Sequence, residues 1–149
     1  MGYSTYFEGT LTFAHEVTAP QLAAMNRMFG EDCRDHPEWQ QEKGKYGQSL
    51  YYLALKLADD FSGIQWNGQE KTGDMDLLVN VVTNEMRKTW PDFTLAGELL
   101  AQGEDIGDRW RLYIDDNGMA QREELALVGK LVTCPLCEGR FLLGEDTSD

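Results

Sequence analysis

The chain has 149 residues, 42% of them hydrophobic and 11% aromatic, and a formal net charge of −13. That is enough for one domain with a real core, not enough for two comfortable ones, and too apolar for a disordered chain. Charge of this sign repels phosphate backbones, so direct binding of DNA or RNA is not expected without a metal or a local basic patch. A partner whose own surface is built to hold nucleic acid is favoured instead. The same charge also keeps a protein soluble and monomeric.

From the N-terminus, 3–14 is rich in aromatic and β-branched residues, with Phe7, Leu11 and Phe13 on one face and Gly9 at a bulge. Thr18, followed by Pro20 and Gln21, forms a helix start with capping-box spacing. Leu22, Met25 and Met28 or Phe29 supply its apolar face, and Gly30 stops it. The polar segment 31–49 loses all periodicity, a long connection of the kind that is functional or mobile. Residues 51–57 alternate, Asp59 and Asp60 turn the chain, and Ile64 and Trp66 share a face, which predicts a hairpin.

Asp74 stands at the N-cap of the longest predicted helix, which runs to about Trp90. Met75, Leu78, Val79, Val82 and Met86 form one stripe, Arg87 and Lys88 suit the C-terminal dipole, and Pro91 ends it. Leu95, Gly97, Leu99 and Ala101 then alternate with Thr94, Ala96, Glu98, Leu100 and Gln102. After a carboxylate-rich turn at 103–108, Trp110, Leu112 and Ile114 alternate with Arg109, Arg111 and Tyr113. Asn117-Gly118 predicts a tight primed turn into a return strand near 119–123.

The expected fold class is therefore α+β: an antiparallel sheet with two helices on one face. Its core is a split β-α-β, ferredoxin-like in outline, with strands added at the C-terminal side. Residues 1–124 form the domain, and 125–149 are an extension with an acidic end.

That extension carries Cys134-Pro-Leu-Cys137, the knuckle spacing of zinc sites, and supplies half a tetrahedral ligand set. Cys33 and His36, also two residues apart, sit in the long loop. Together the four predict a Cys₃His structural zinc site; the alternative is a reduced solvated pair and a small buried Cys33. Three cysteines without a paired framework indicate a reducing compartment. There is no secretory signal pattern and no apolar run long enough to span a bilayer, so the protein is expected in the cytoplasm.

Glu98, Glu104, Asp105 and Asp108 are the candidate partner-binding carboxylates, with solvated turn residues as the commoner explanation of such a cluster. They lack the spacing of a calcium loop. His15 and His36 have no nucleophile partner at a recognisable spacing, and no glycine loop cradles a phosphate, so no catalytic residue is assigned. Trp66, Glu70 and Lys71, with the 103–108 turn, form the alternative candidate, a small-ligand or enzyme site; an ordinary salt bridge is the plainer reading of Glu70 and Lys71.

Three stretches carry a resemblance: MGYSTYFEG at the start, IQWNGQEK at 64–71 and FTLAGELLAQGEDIGDRW at 93–110. They resemble a family of small proteins encoded by bacteriophages and by bacteria carrying prophages. The resemblance covers the first strand and most of 50–115, and supplies context without catalytic residues. It implies a protein that acts on host machinery. The first expectation is a non-enzymatic inhibitor of a nucleic-acid-handling host defence protein, acting by nucleic-acid mimicry, as a monomer or homodimer in the host cytoplasm.

Overall fold

A computed structural model of the chain describes residues 4–40, 43–44, 47–125, 131–133 and 140–142. The fold is α+β, as expected: strands β1 (Thr5–Glu8) and β2 (Leu11–Phe13), helix α1 (Ala19–Met28), strands β3 (Leu55–Leu57) and β4 (Gly63–Trp66), and helix α2 (Met75–Thr89). Strands β5 (Leu95–Gly103), β6 (Arg109–Ile114) and β7 (Ala120–Glu124) follow. All pairings are antiparallel, in the order β3-β4-β2-β5-β6-β7, with β1 also on β5. The α1 connection steps from β2 over β4 to β3, and the α2 connection steps from β4 over β2 to β5. Among the described residues, strands β8 (Leu131–Thr133) and β9 (Arg140–Leu142) pair with each other and with no other strand.

β1 and β2 are two halves of one strand. Between the pairs Glu8–Leu100 and Leu11–Gly97 two residues remain on each side, so the ladder opens without changing register. Gly9 (φ 113°) therefore marks a break and not the expected bulge. A Cβ there would press on the Glu98 carbonyl, so glycine is required.

The helices contact each other and cover one face of the sheet. The expected stripe of α2 is buried in full: Met75, Leu78, Val79, Val82 and Met86. It packs against Phe7, Leu11, Ile64, Leu95, Leu99, Trp110 and Leu112 from the strands, one continuous core. Each such side chain contributes about 1.5–3 kcal/mol by leaving water. From α1 only Met25 is fully buried. Its Thr18–Gln21 capping box is made in both directions.

Three local expectations are corrected. The 31–49 segment is not featureless: 3₁₀ turns at Cys33–Asp35 and Pro37–Trp39 carry Cys33 and Trp39 into the core. Asp74 precedes α2 but makes no side-chain cap; its carboxylate accepts instead from Gln48 Nε2 at 2.8 Å. In the β6–β7 turn only Gly118 takes positive φ (79°), while Asn117 does not. The Asp115 N–H donates to the Met119 carbonyl, and Gly118 N–H to the Asp115 carbonyl. This is a three-residue loop with a glycine bulge, not a primed two-residue turn. Among the described residues, no helix is long and apolar enough to cross a membrane.

Candidate functional site

Topology decides which loops share an end of the sheet. β4 and β5 both run antiparallel to the N-terminal strand, so the segments that follow them, 67–74 and 104–108, leave from the same end. Ser4 and the approach to β3, residues 50–54, lie there too. This end gathers most of the residues singled out in the sequence.

At one side of it is the β5–β6 turn. Glu104 and Asp105 are exposed, Asp108 is half-buried, and Ile106 between them is 73% exposed. The turn is held by its own backbone: Gly103 N–H donates to the Asp108 carbonyl and Asp108 N–H to the Asp105 carbonyl. Gln102 Nε2 donates to the Gly103 and Asp105 carbonyls, both at 3.0 Å. The Glu104 carboxylate accepts from the Ser4 N–H at 2.6 Å. No lysine or arginine among the described residues pairs with Glu104 or Asp108.

Glu98 does not belong to this group. It stands five residues back along β5, on the helix-free face, where Arg111 Nη1 donates to it at 2.8 Å. The same guanidinium holds Glu123 at 2.8 Å and stacks over the Tyr113 ring at 4.5 Å. A carboxylate shared in this way presents little bare charge, so the four predicted partner-binding acids are not one row.

At the other side is a cavity of about 460 Å³, beside the start of α2. Leu50 and Leu78 form an apolar floor, Tyr51 and Tyr52 an aromatic wall, and Glu70 and Lys71 a charged rim. Trp66 lies outside its wall. The indole packs edge-on against Tyr6 and Phe7, at 5.4 and 5.6 Å, and its Nε1–H donates to the Gln69 carbonyl at 3.2 Å. Thr72 Oγ1 donates to the same carbonyl at 2.8 Å. Trp66 thus holds the turn that presents Glu70 and Lys71. Lys71 has φ 66°, a left-handed conformation that a residue with a Cβ adopts only under constraint. The 103–108 turn does not line the cavity, so the two halves of the alternative site share an end without forming one pocket. In the first turn of α2, burial pushes the Asp76 carboxyl above its ordinary value.

The tyrosine wall already carries one cation. Arg34 lies over the Tyr51 ring at 4.4 Å and near Tyr52 at 5.7 Å, clamped by both oxygens of Asp32. The hydrogen bond from Arg34 holds the Asp32 carboxyl below its ordinary range. Nothing in the spacing of residues 32, 34, 51 and 52 announces this cluster. An Asp32–Tyr52 bridge between distant segments makes it.

Of the predicted zinc ligands, Cys134 and Cys137 lie outside the described residues. Cys33 is wholly buried, and burial pushes its thiol up to about 12. The His36 ring stacks on Trp39 at 3.9 Å, and its nitrogens face Glu31 at 3.3 Å and Glu38 at 3.6 Å. As folded, the Cys33 thiol is enclosed by the core, and both His36 ring nitrogens face carboxylates. Among the described residues no three His, Cys, Asp or Glu side chains gather as a metal site.

Two residues with structural roles escaped the sequence reading. Asn80, buried inside α2, donates to the Ala120 carbonyl at 3.1 Å and accepts from its N–H at 2.7 Å, closing one rung of the open edge of β7. A polar side chain inside the LLVNVV run was the available signal. Arg87 does more than suit the helix dipole: it donates to the carbonyls of Phe93 and Asn117 and to Thr94 Oγ1.

Comparison of the chain with protein-family models, with curated proteins and with solved structures found no match.

Proposed function

We propose that this is a non-enzymatic interaction protein whose acidic end engages a basic, nucleic-acid-handling protein. One observation carries the reading: Glu104, Asp105 and Asp108 surround an exposed Ile106 on a turn whose backbone is already tied down. Such a turn offers negative charge and an apolar tip at little ordering cost, which suits both electrostatic steering and a desolvated contact. The net charge of −13 extends the attraction beyond the turn. The resemblance to phage-encoded proteins supports a host protein as the target and inhibition by nucleic-acid mimicry as the outcome.

Capture from bacterial lysate on the immobilised protein tests this reading. Nucleic-acid-binding proteins should be retained at low salt, released as salt rises, and displaced by added DNA. The triple variant Glu104→Gln, Asp105→Asn, Asp108→Asn should fold normally and retain far less. Equal recovery by the variant would overturn the proposal.

A second reading, a small-ligand site, is favoured by the concave, mostly apolar-floored cavity beside Glu70 and Lys71. Its volume lies within the range of ligand pockets, about 300–1,000 Å³.

A further inference from the structure

We infer that the cavity at the start of α2 is an anchor pocket for a guanidinium side chain, an arginine presented by the basic partner. This rests on the interaction-protein reading and gives that surface a second, separately testable contact.

The lining matches the parts of an arginine. Leu50 and Leu78 provide an apolar floor for its methylene stem, as long cationic side chains require when their heads stay near water. Tyr51 and Tyr52 provide ring faces, which attract a cation through the ring quadrupole. Glu70 stands at the rim, exposed, with no ion pair among the described residues, and Asp74 lies in the same wall. The volume of about 460 Å³ leaves room for one such side chain and water.

The protein itself shows that this tyrosine pair accepts a guanidinium. Arg34 sits on Tyr51 and Tyr52 with a carboxylate, Asp32, closing the arrangement from the side. The cavity presents the same three chemistries to an outside ligand. Tyr51 and Tyr52 are 56% and 41% exposed, so they are open to it. Arg34 on the tyrosine wall is a like charge that an incoming cation meets, offset by its partner Asp32, and Lys71 on the rim is a second. Lys71 makes a prediction of its own, because its removal should strengthen binding of a cation and weaken that of an anion.

The probe is N-acetyl-arginine amide, titrated into the full chain and followed by amide chemical shifts, with the uncharged N-acetyl-norleucine amide as control. The arginine derivative should shift residues 50–52 and 69–74, and the norleucine derivative should not. Tyr51→Leu and Glu70→Gln should each weaken binding about two- to fivefold, the range of an exposed cation–π or surface charge contact. Lys71→Gln should tighten it.

Equal binding of both amides would overturn the guanidinium assignment. So would a tighter response to N-acetyl-aspartate amide. No response at the cavity would also overturn the anchor, whereas the interaction reading would stand if the 103–108 variant still lost its captured proteins. A normal spectrum for each variant shows that it folds, since Tyr51 and Glu70 are both exposed.

Discussion

The two ends of the sheet are built from similar loops and treated in opposite ways. At the end formed by 58–62, 90–94 and 115–119, one cation is spent inside the protein. Arg87 reaches from the last turn of α2 to the carbonyls of Phe93 and Asn117 and the hydroxyl of Thr94, so the loops 90–94 and 115–119 are both tied to one guanidinium. The Asp115 carboxylate turns inward and accepts from the N–H groups of Asn117 and Met119. At the other end Glu70 and Lys71 make no ion pair among the described residues, and Ile106 and two tyrosines are exposed; the left-handed Lys71 is matched at the first end by Phe61, itself exposed and at φ 61°. Polar groups satisfied internally make a closing structure. Polar and apolar groups left outward make a surface for something else.

The sharpest way to break this contrast is to cut the stitch. Arg87→Met should cost about 3 kcal/mol in urea unfolding, because charged hydrogen bonds are lost and the Phe93 carbonyl is left without its donor. A loss under about 1 kcal/mol would mean that the loops hold themselves. Gly118→Ala should cost about 1–2 kcal/mol, since the residue is left-handed and a Cβ would press on the Arg87 guanidinium. Loss of the Arg87 contacts in that variant would be visible as coupling with Arg87→Met in a double-mutant cycle.

At the outward end the sign reverses. Lys71→Gly should stabilise by about 0.5–1 kcal/mol, because glycine takes φ 66° without a Cβ penalty. If thermal unfolding shows a loss, the Lys71 side chain contributes more than its backbone costs, and the contrast between the ends weakens.

The smallest effect depends on pH. Hydrogen bonds from Met119 and Gln121 hold the Asp115 carboxyl below its ordinary value of 3.8. Its contribution is therefore fully present above pH 3.8 and is lost as pH falls through the lower, folded value. Asp115→Asn should be less stable than the parent at pH 7, and the difference should vanish in acid. A difference that persists at low pH would assign the effect to turn geometry and not to charge.

Much of the scaffold was legible from local pattern. The α2 stripe, the alternation of β5 and β6, the capping box at Thr18 and the α+β class follow from period and cap chemistry, which act over a few residues and are written consecutively. The Gly9 break and the Gly118 bulge were misread in kind, though not in place. A glycine announces conformational freedom, but the partner strand chooses how that freedom is used.

The site was legible only in pieces. Sequence marked Glu104, Asp105 and Asp108, and Glu70 and Lys71, as chemically notable, and nothing local said that β4 and β5 run the same way and deliver both segments to one end. It grouped Glu98 with the turn because they are near in the chain. The sheet instead gave Glu98 to Arg111, thirteen residues away across a hairpin. Composition and periodicity determine which faces must leave water, because burial depends on one residue at a time. Which charges meet, which stay outward and which tyrosines line a cavity depend on strand order and register, and those exist only once the chain has closed on itself.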